Sequence, residues 1–224
     1  MLDRLLPGPL FEEIFNNAEK GYSHVTDQDV FNVEGLSHLA TRCTINMLCR
    51  ACAPVTYLEV GTFRGATFAA AMSGNAGTFI GVDDFCEFNR NGGFSYTDTN
   101  GNLVDSSVMY SNREAVDSVV ERFGGGKARF IEKKFQALDM SEIPTIDIFL
   151  YDAGHSAYET EMGLVQFAPK LAPNALILVD DIDRAEVMAG VMGGCVVAGL
   201  KPARLFVLRG EKWNEGLLVM QRYG

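Results

Sequence analysis

The sequence predicts one α/β domain in which a mostly parallel, doubly wound sheet is covered by helices on both faces. Three observations carry this reading. From residue 55 onward, short apolar runs alternate with helical stretches. Those runs are hydrophobic almost without interruption, as strands buried on both faces must be. The last run, ARLFVLRGEKWNEGLLVMQRY (203–223), divides into two strands around a GEKWNEG turn, an antiparallel hairpin closing the sheet. Five parallel strands and this hairpin make seven.

Each element follows from its own pattern. Residues 8–20 and 34–52 read as helices; in the second, Leu36, Leu39, Ala40, Cys43, Met47 and Leu48 recur at helical spacing, and Pro54 ends the run. VTYLEVGTFRG (55–65) then changes the period to a strand closing on Gly61 and Gly65, with ATFAAAMSG as the following helix. Further strands are TFIGVDDF (78–85), KARFIEKKF (127–135), IDIFLYDAG (146–154) and ALILVDDID (175–183), and helices fall near 113–123, 157–169 and 184–198. Residues 1–54 are therefore N-terminal helical decoration on a core formed by 55–224. Residues 86–112 form a long polar and aromatic connection, which in a compact domain suggests a lid over a binding site.

Composition narrows the function. With 19 Lys and Arg against 29 Asp and Glu, the chain carries a formal charge of −10. It has no basic run, which argues against a nucleic-acid backbone as partner and for a small neutral or cationic one. Five cysteines at scattered positions do not describe a disulfide framework. Cys49 and Cys52 form a lone CxxC on an expected helix, where packing is the simpler role. The first residues, MLDRLLPGPLFEEIFNN, carry acids where a secretory leader is apolar, and no run is long enough to cross a bilayer; a cytoplasmic location is expected. Exposed N-terminal helices would suit a homodimer.

Ligands of doubly wound sheets bind beyond the carboxyl ends of the strands. The first strand ends on Glu59, Gly61 and Gly65; the second ends on Asp83, 24 residues past Glu59 and suited to ribose hydroxyls. Phe63 stands where the G-x-G-x-x-G pyrophosphate fingerprint of NAD enzymes has its second glycine. E-V-G-T-F-R-G followed by G-V-D instead resembles the first two motifs of the class I S-adenosylmethionine (SAM)-dependent methyltransferases, whose Rossmann-like sheet ends in the same hairpin. The resemblance implies SAM as cofactor, held by Glu59, Gly61, Thr62, Phe63, Gly65, Asp83, Asp84 and Asp152. After the third strand such enzymes often place an acidic or polar residue near the adenine; this chain departs from that pattern with Lys133, Lys134, Phe135 and Gln136, of which Phe135 and Gln136 are the candidate adenine contacts.

The fourth strand ends in Asp152 within D-A-G-H-S-A-Y-E, and the fifth in Asp180 and Asp181. Adjacent strands lie ~4.8 Å apart, so these carboxylates can meet, and three on one rim call for a cation such as Mg²⁺. The layout resembles the metal-dependent O-methyltransferases of the catechol type and of the bacterial sugar and natural-product type. That implies Asp152, Asp180 and Asp181 as metal ligands and His155, three residues after Asp152, as general base. A metal-bound hydroxyl is more acidic, and a histidine accepts its proton near neutral pH.

Plainer roles exist for each residue. Asp152 or the Asp180–Asp181 pair could cap the next helix, with Asp183 the better cap candidate; Tyr158 and Glu159 could simply start a helix. His24 and His38 suit surface or packing roles, as does Trp213. The function expected is O-methylation of a small hydroxylated acceptor such as a sugar or phenol. Metal-independent transfer with His155 as base, an NAD-linked oxidoreductase and a non-catalytic SAM-binding module are the alternatives.

Overall fold

The computed structural model describes residues 5–23, 28–85, 95–97, 103–105, 111–210 and 213–223. Its elements run α1 (Gly8–Glu19), α2 (Leu39–Ala51), β1 (Val55–Val60), α3 (Ala66–Met72), β2 (Gly77–Asp83), β3 (Ser95–Thr97), β4 (Leu103–Asp105), α4 (Asn112–Phe123), β5 (Ala128–Glu132), β6 (Ile146–Tyr151), α5 (Ala157–Phe167), β7 (Leu171–Val179), α6 (Ala185–Val197), β8 (Pro202–Gly210) and β9 (Trp213–Arg222).

Seven strands form one sheet in the order β5-β2-β1-β6-β7-β9-β8, with β9 antiparallel to β7 and β8 antiparallel to β9. The chain leaves β1 through β2 to β5, then returns to β6 on the other side of β1. That reversal opens a crevice at the carboxyl ends of β1 and β6, where ligands of such sheets bind. The pleat divides the core in two. Tyr57, Phe79, Ile148, Leu176 and Val219 pack with α1, α2 and α3. Leu58, Ile80, Phe149, Ile177 and Leu218 face the opposite way, toward α5 and α6. The fold class, the hairpin and the helices on both faces are as the sequence predicts. Among the described residues no helix is long and apolar enough to cross a membrane.

Several boundaries differ, each for a local reason. The second helix starts at Leu39 rather than 34, because the His38 side chain accepts the Ala40 N–H as its cap. Upstream, the Arg42 guanidinium takes the carbonyls that a helix would use, donating to those of Phe31, Val33, Gly35 and Ser37 at 2.8–3.3 Å. Residues 31–37 are thus a non-helical strap of turns and bends, and Leu36 is exposed. β7 begins at Leu171, ahead of 175, with Pro173 accommodated where its pairing with β6 shifts register. Asp183 does not cap α6: Arg184 occupies that position, its N–H donating to the Asp181 carbonyl at 3.0 Å. Within 86–112, β3 and β4 pair as a short antiparallel ribbon. The rest of that candidate lid up to residue 110, and His24, lie outside the described residues.

Cys49 and Cys52 are buried, and burial raises both thiols, that of Cys52 to about 12, as inert packing groups require.

Candidate functional site

The crevice is built from strand ends. Gly61 N–H donates to the Val82 carbonyl at 2.9 Å and Asp152 N–H to the Val60 carbonyl at 2.8 Å, which sews the exit of β1 between β2 and β6. Gly61 has φ +94°, and a Cβ there would stand 1.6 Å from the Asp152 carbonyl oxygen, so only glycine fits. The turn then closes through Gly65 N–H to the Thr62 carbonyl at 2.8 Å and enters α3. Phe63 adopts φ +48°, a left-handed conformation that costs a non-glycine residue ~1 kcal/mol or more. Asp83 offsets this cost. Its carboxylate accepts the Phe63 N–H and, with the other oxygen, the Phe85 N–H, each at 2.7 Å.

A cavity of about 290 Å³ opens above this turn, near the lower end of the range for small-molecule sites. Of the residues singled out in the sequence, Gly61, Asp83, Asp84, Phe135, Gln136, His155 and Glu159 line it, with Val60 and Val82 as apolar floor and Lys133 and Lys134 at the rim. Phe135 is held edge-on to Tyr151, ring centroids 6.1 Å apart. Burial raises the Asp83 carboxyl, while the Phe63 and Phe85 amides pull it back down.

Glu59, Thr62, Phe63 and Gly65 shape the turn from behind rather than forming the wall. Glu59 is wholly buried and accepts the Tyr57 hydroxyl at 2.7 Å. Burial pushes its carboxyl up to about 8, against the hydrogen bonds of Tyr57, Thr67 and Thr62. An ordinary glutamate in the unfolded chain is ionised above ~4.3. Between there and pH 8 only the folded state holds this proton, so stability drains away as pH rises through that window, by up to ~1.4 kcal/mol per pH unit. Glu59→Gln keeps an acceptor for Tyr57 without the titration. Its melting temperature should therefore gain on wild type by several degrees between pH 5 and pH 8; parallel melting curves across that range would contradict the assignment.

The second constellation joins the loops after β6 and β7. His155 Nε2 lies 2.5 Å from Asp181 Oδ2, with Arg184 Nε 3.7 Å from the same oxygen. The two side chains are about one-quarter and one-seventh exposed, so the pair borders the cavity yet is shielded from bulk water. The Tyr151 hydroxyl donates to the Gly154 carbonyl at 3.0 Å, fixing the backbone that carries His155. Ser156 caps α5 by accepting the Glu159 N–H, and the Glu159 carboxylate accepts the Ser156 hydroxyl at 2.6 Å. Asp152 is therefore not the α5 cap. Glu159 does begin that helix, and Tyr158 is exposed.

Asp152, Asp180 and Asp181 do share one rim: the Asp180 N–H donates to the Tyr151 carbonyl at 3.1 Å, beside Asp152. The Mg²⁺ set expected from them is nevertheless not assembled. Among the described residues no three His, Cys, Asp or Glu side chains are disposed to hold a metal ion. Asp181 shows why, since its Oδ2 faces an imidazole and a guanidinium instead of a vacant coordination position. The interplay of His155 with Asp181 was not legible in the sequence. The 25 residues between them carry no pairing signal, and only the β6–β7 register brings them together.

Comparison with known proteins agrees with this geometry. Residues 58–182 match the family model described as a methyltransferase domain. No curated protein matches the sequence. Among solved structures, the chain is similar to the O-methyltransferase from Bacillus cereus in complex with SAH (11% identity, TM-score 0.58, covering 98% of this chain and 93% of that one). It is also similar to TomG from Streptomyces achromogenes, an O-methyltransferase involved in tomaymycin synthesis, in complex with SAM (14%, 0.56, 98% and 92%). A third is the SAH-bound methyltransferase PaMTH1 from Podospora anserina (13%, 0.54, 100% and 91%). At these identities the likeness is one of fold.

Proposed function

The chain belongs to the methyltransferase-domain family, and on that premise we propose that it transfers a methyl group from SAM to a hydroxyl of a small acceptor, with His155 as general base. The observation that carries the reading is the His155–Asp181 pair on the rim of the cavity above the glycine turn. Solved relatives of the fold that hold SAM or SAH support the choice of cofactor.

The residues present fit SAM. Gly61 lets β1 exit tight against Asp152 at the cavity wall, Asp83 and Asp84 offer acceptors for ribose hydroxyls, and Phe135 and Gln136 offer a ring face and an amide to the adenine. Bound SAM supplies a methyl on a sulfonium, already electrophilic. What remains for the protein is orientation and removal of one proton. The His155 ring would accept the proton of the acceptor hydroxyl while the turn and the cavity wall hold the donor in line with it. Asp181 compensates the positive charge that the ring then carries and holds its orientation. Lys133 and Lys134 at the rim complement the chain's acidic surface.

Metal assistance is the second reading, favoured by Asp152 and Asp180 standing at neighbouring strand ends. The two separate cleanly. Methyl transfer from labelled SAM to a panel of sugars and phenols is expected to survive thorough chelation with EDTA. Loss of turnover that Mg²⁺ restores would select the metal-assisted form, and absence of SAM binding would end both.

A further inference from the structure

Arg64 is the buried residue of the glycine turn that the chemistry above does not use. It is 3% exposed, deep for a guanidinium, and it points away from the cofactor cavity. Its Nη2 lies 2.9 Å from Glu34 Oε2 and its Nη1 donates to Asn112 Oδ1 at 3.0 Å. The two partners come from different parts of the chain. Glu34 belongs to the strap clasped by Arg42; Asn112, fully buried, is both the last residue of the candidate lid and the first of α4. The strap also rests on the turn itself, for a Cβ on Gly35 would come within 2.5 Å of the Ala66 side chain at the start of α3.

From this arrangement we infer that Arg64 is a positioning residue for cofactor binding, tying the strap and the start of α4 to the glycine turn. The physical need is plain. Gly61, Phe63 and Gly65 all have positive φ within five residues, so the turn does not keep this shape by local preference. Asp83 holds it from the cavity side through the Phe63 amide. Arg64, the next residue, holds it from behind through two groups that are anchored independently. A charge-assisted bond at low exposure is stronger than a surface pair, and it keeps the peptide groups facing the cavity preorganised. Loosening Glu34 should therefore be felt as lost cofactor affinity although Glu34 touches no part of the cavity.

A neighbouring ion pair supplies the control. Asp29, near the start of the same strap region, pairs with Arg122 on the exposed face of α4. This second pair ties the strap to α4 without touching the turn. A merely structural role for the strap predicts equal consequences from breaking either pair; positioning through Arg64 predicts consequences from one alone.

The inference rests on SAM being the cofactor, and the experiment keeps the two apart. SAH titrations of the wild-type protein by calorimetry come first, then of Glu34→Gln, Glu34→Asp and Asp29→Asn, with turnover measured at saturating SAM. Expected are a five- to tenfold weaker SAH affinity for Glu34→Gln, partial recovery with Glu34→Asp, and less than a twofold change for Asp29→Asn. The KM for SAM should rise in Glu34→Gln with kcat within twofold, the mark of lost binding rather than lost chemistry. Undiminished affinity in Glu34→Gln, or equal losses in Glu34→Gln and Asp29→Asn, would overturn the positioning role. A wild-type protein that binds no SAH would remove the functional reading itself, and this inference with it.

Discussion

His155→Ala is expected to lower kcat by about 10²- to 10⁴-fold while SAM affinity stays within twofold. The reason lies in how the site divides its labour. Gly61, Asp83 and Phe135 surround the cavity on the β1, β2 and β5 side, whereas His155 enters from the loop after β6 and is braced by Asp181 across the next strand. Removing the imidazole takes away the proton acceptor and leaves the turn untouched. Single-turnover methyl transfer at saturating SAM makes the measurement decisive, because it reads the chemical step apart from binding and product release. A variant with wild-type turnover would move the base to another residue.

Gly61→Ala carries the second large effect, and it acts through the backbone. The new methyl would sit 1.6 Å from the Asp152 carbonyl oxygen and 2.4 Å from its carbon, at φ +94°. No rotamer relieves a contact between Cβ and main chain, so β1 and β6 must part or the turn must flip. Either movement breaks the Asp152 N–H to Val60 bond and displaces the cavity floor. Loss of detectable SAM binding is expected, with a destabilisation of roughly 3 kcal/mol or more, in the class of strain at a special φ/ψ position. Gly74, also at positive φ but with nothing near its Cβ, is the comparison: Gly74→Ala should cost only its conformational strain and leave SAM affinity alone. Similar SAM affinities for Gly61→Ala and wild type would refute the close-approach argument.

The fold was legible because its signals are local and repeated. VTYLEV, TFIGVD and IDIFLY are apolar but for one acid and at most one threonine each, and in the structure most of their residues are buried between two helical layers. The cavity wall was legible for a related reason: residues that finish parallel strands have nowhere to go except the carboxyl rim. Two kinds of information were not local. Leu36 fitted a helical period, yet the donors that hold 31–37 out of a helix sit on Arg42, which no hydrophobic pattern reveals. Likewise the aspartates after β7 were correctly placed on the rim, but whether Asp181 faces a cation or an imidazole depends on its φ of +55° and on the neighbouring loop. Residue types suggested three ligands; backbone conformation turned one of them toward His155. Arg64, inside the most readable motif of the chain, gave no sign of its partners because both lie far away in sequence.

The Arg42 clasp has a consequence for the order of assembly. A helix or a strand closes its hydrogen bonds with its own neighbours and can form early. Residues 31–37 have no such recourse, since four of their carbonyls are served by one planar side chain mounted on the first turn of α2. The segment orders fully only once that helix has docked and brought the guanidinium to it. Withdrawal of that one side chain strips four carbonyls of their donor at once and leaves the strap to the Glu34–Arg64 contact and the neighbouring Asp29–Arg122 pair, with α2 and the sheet beneath it undisturbed.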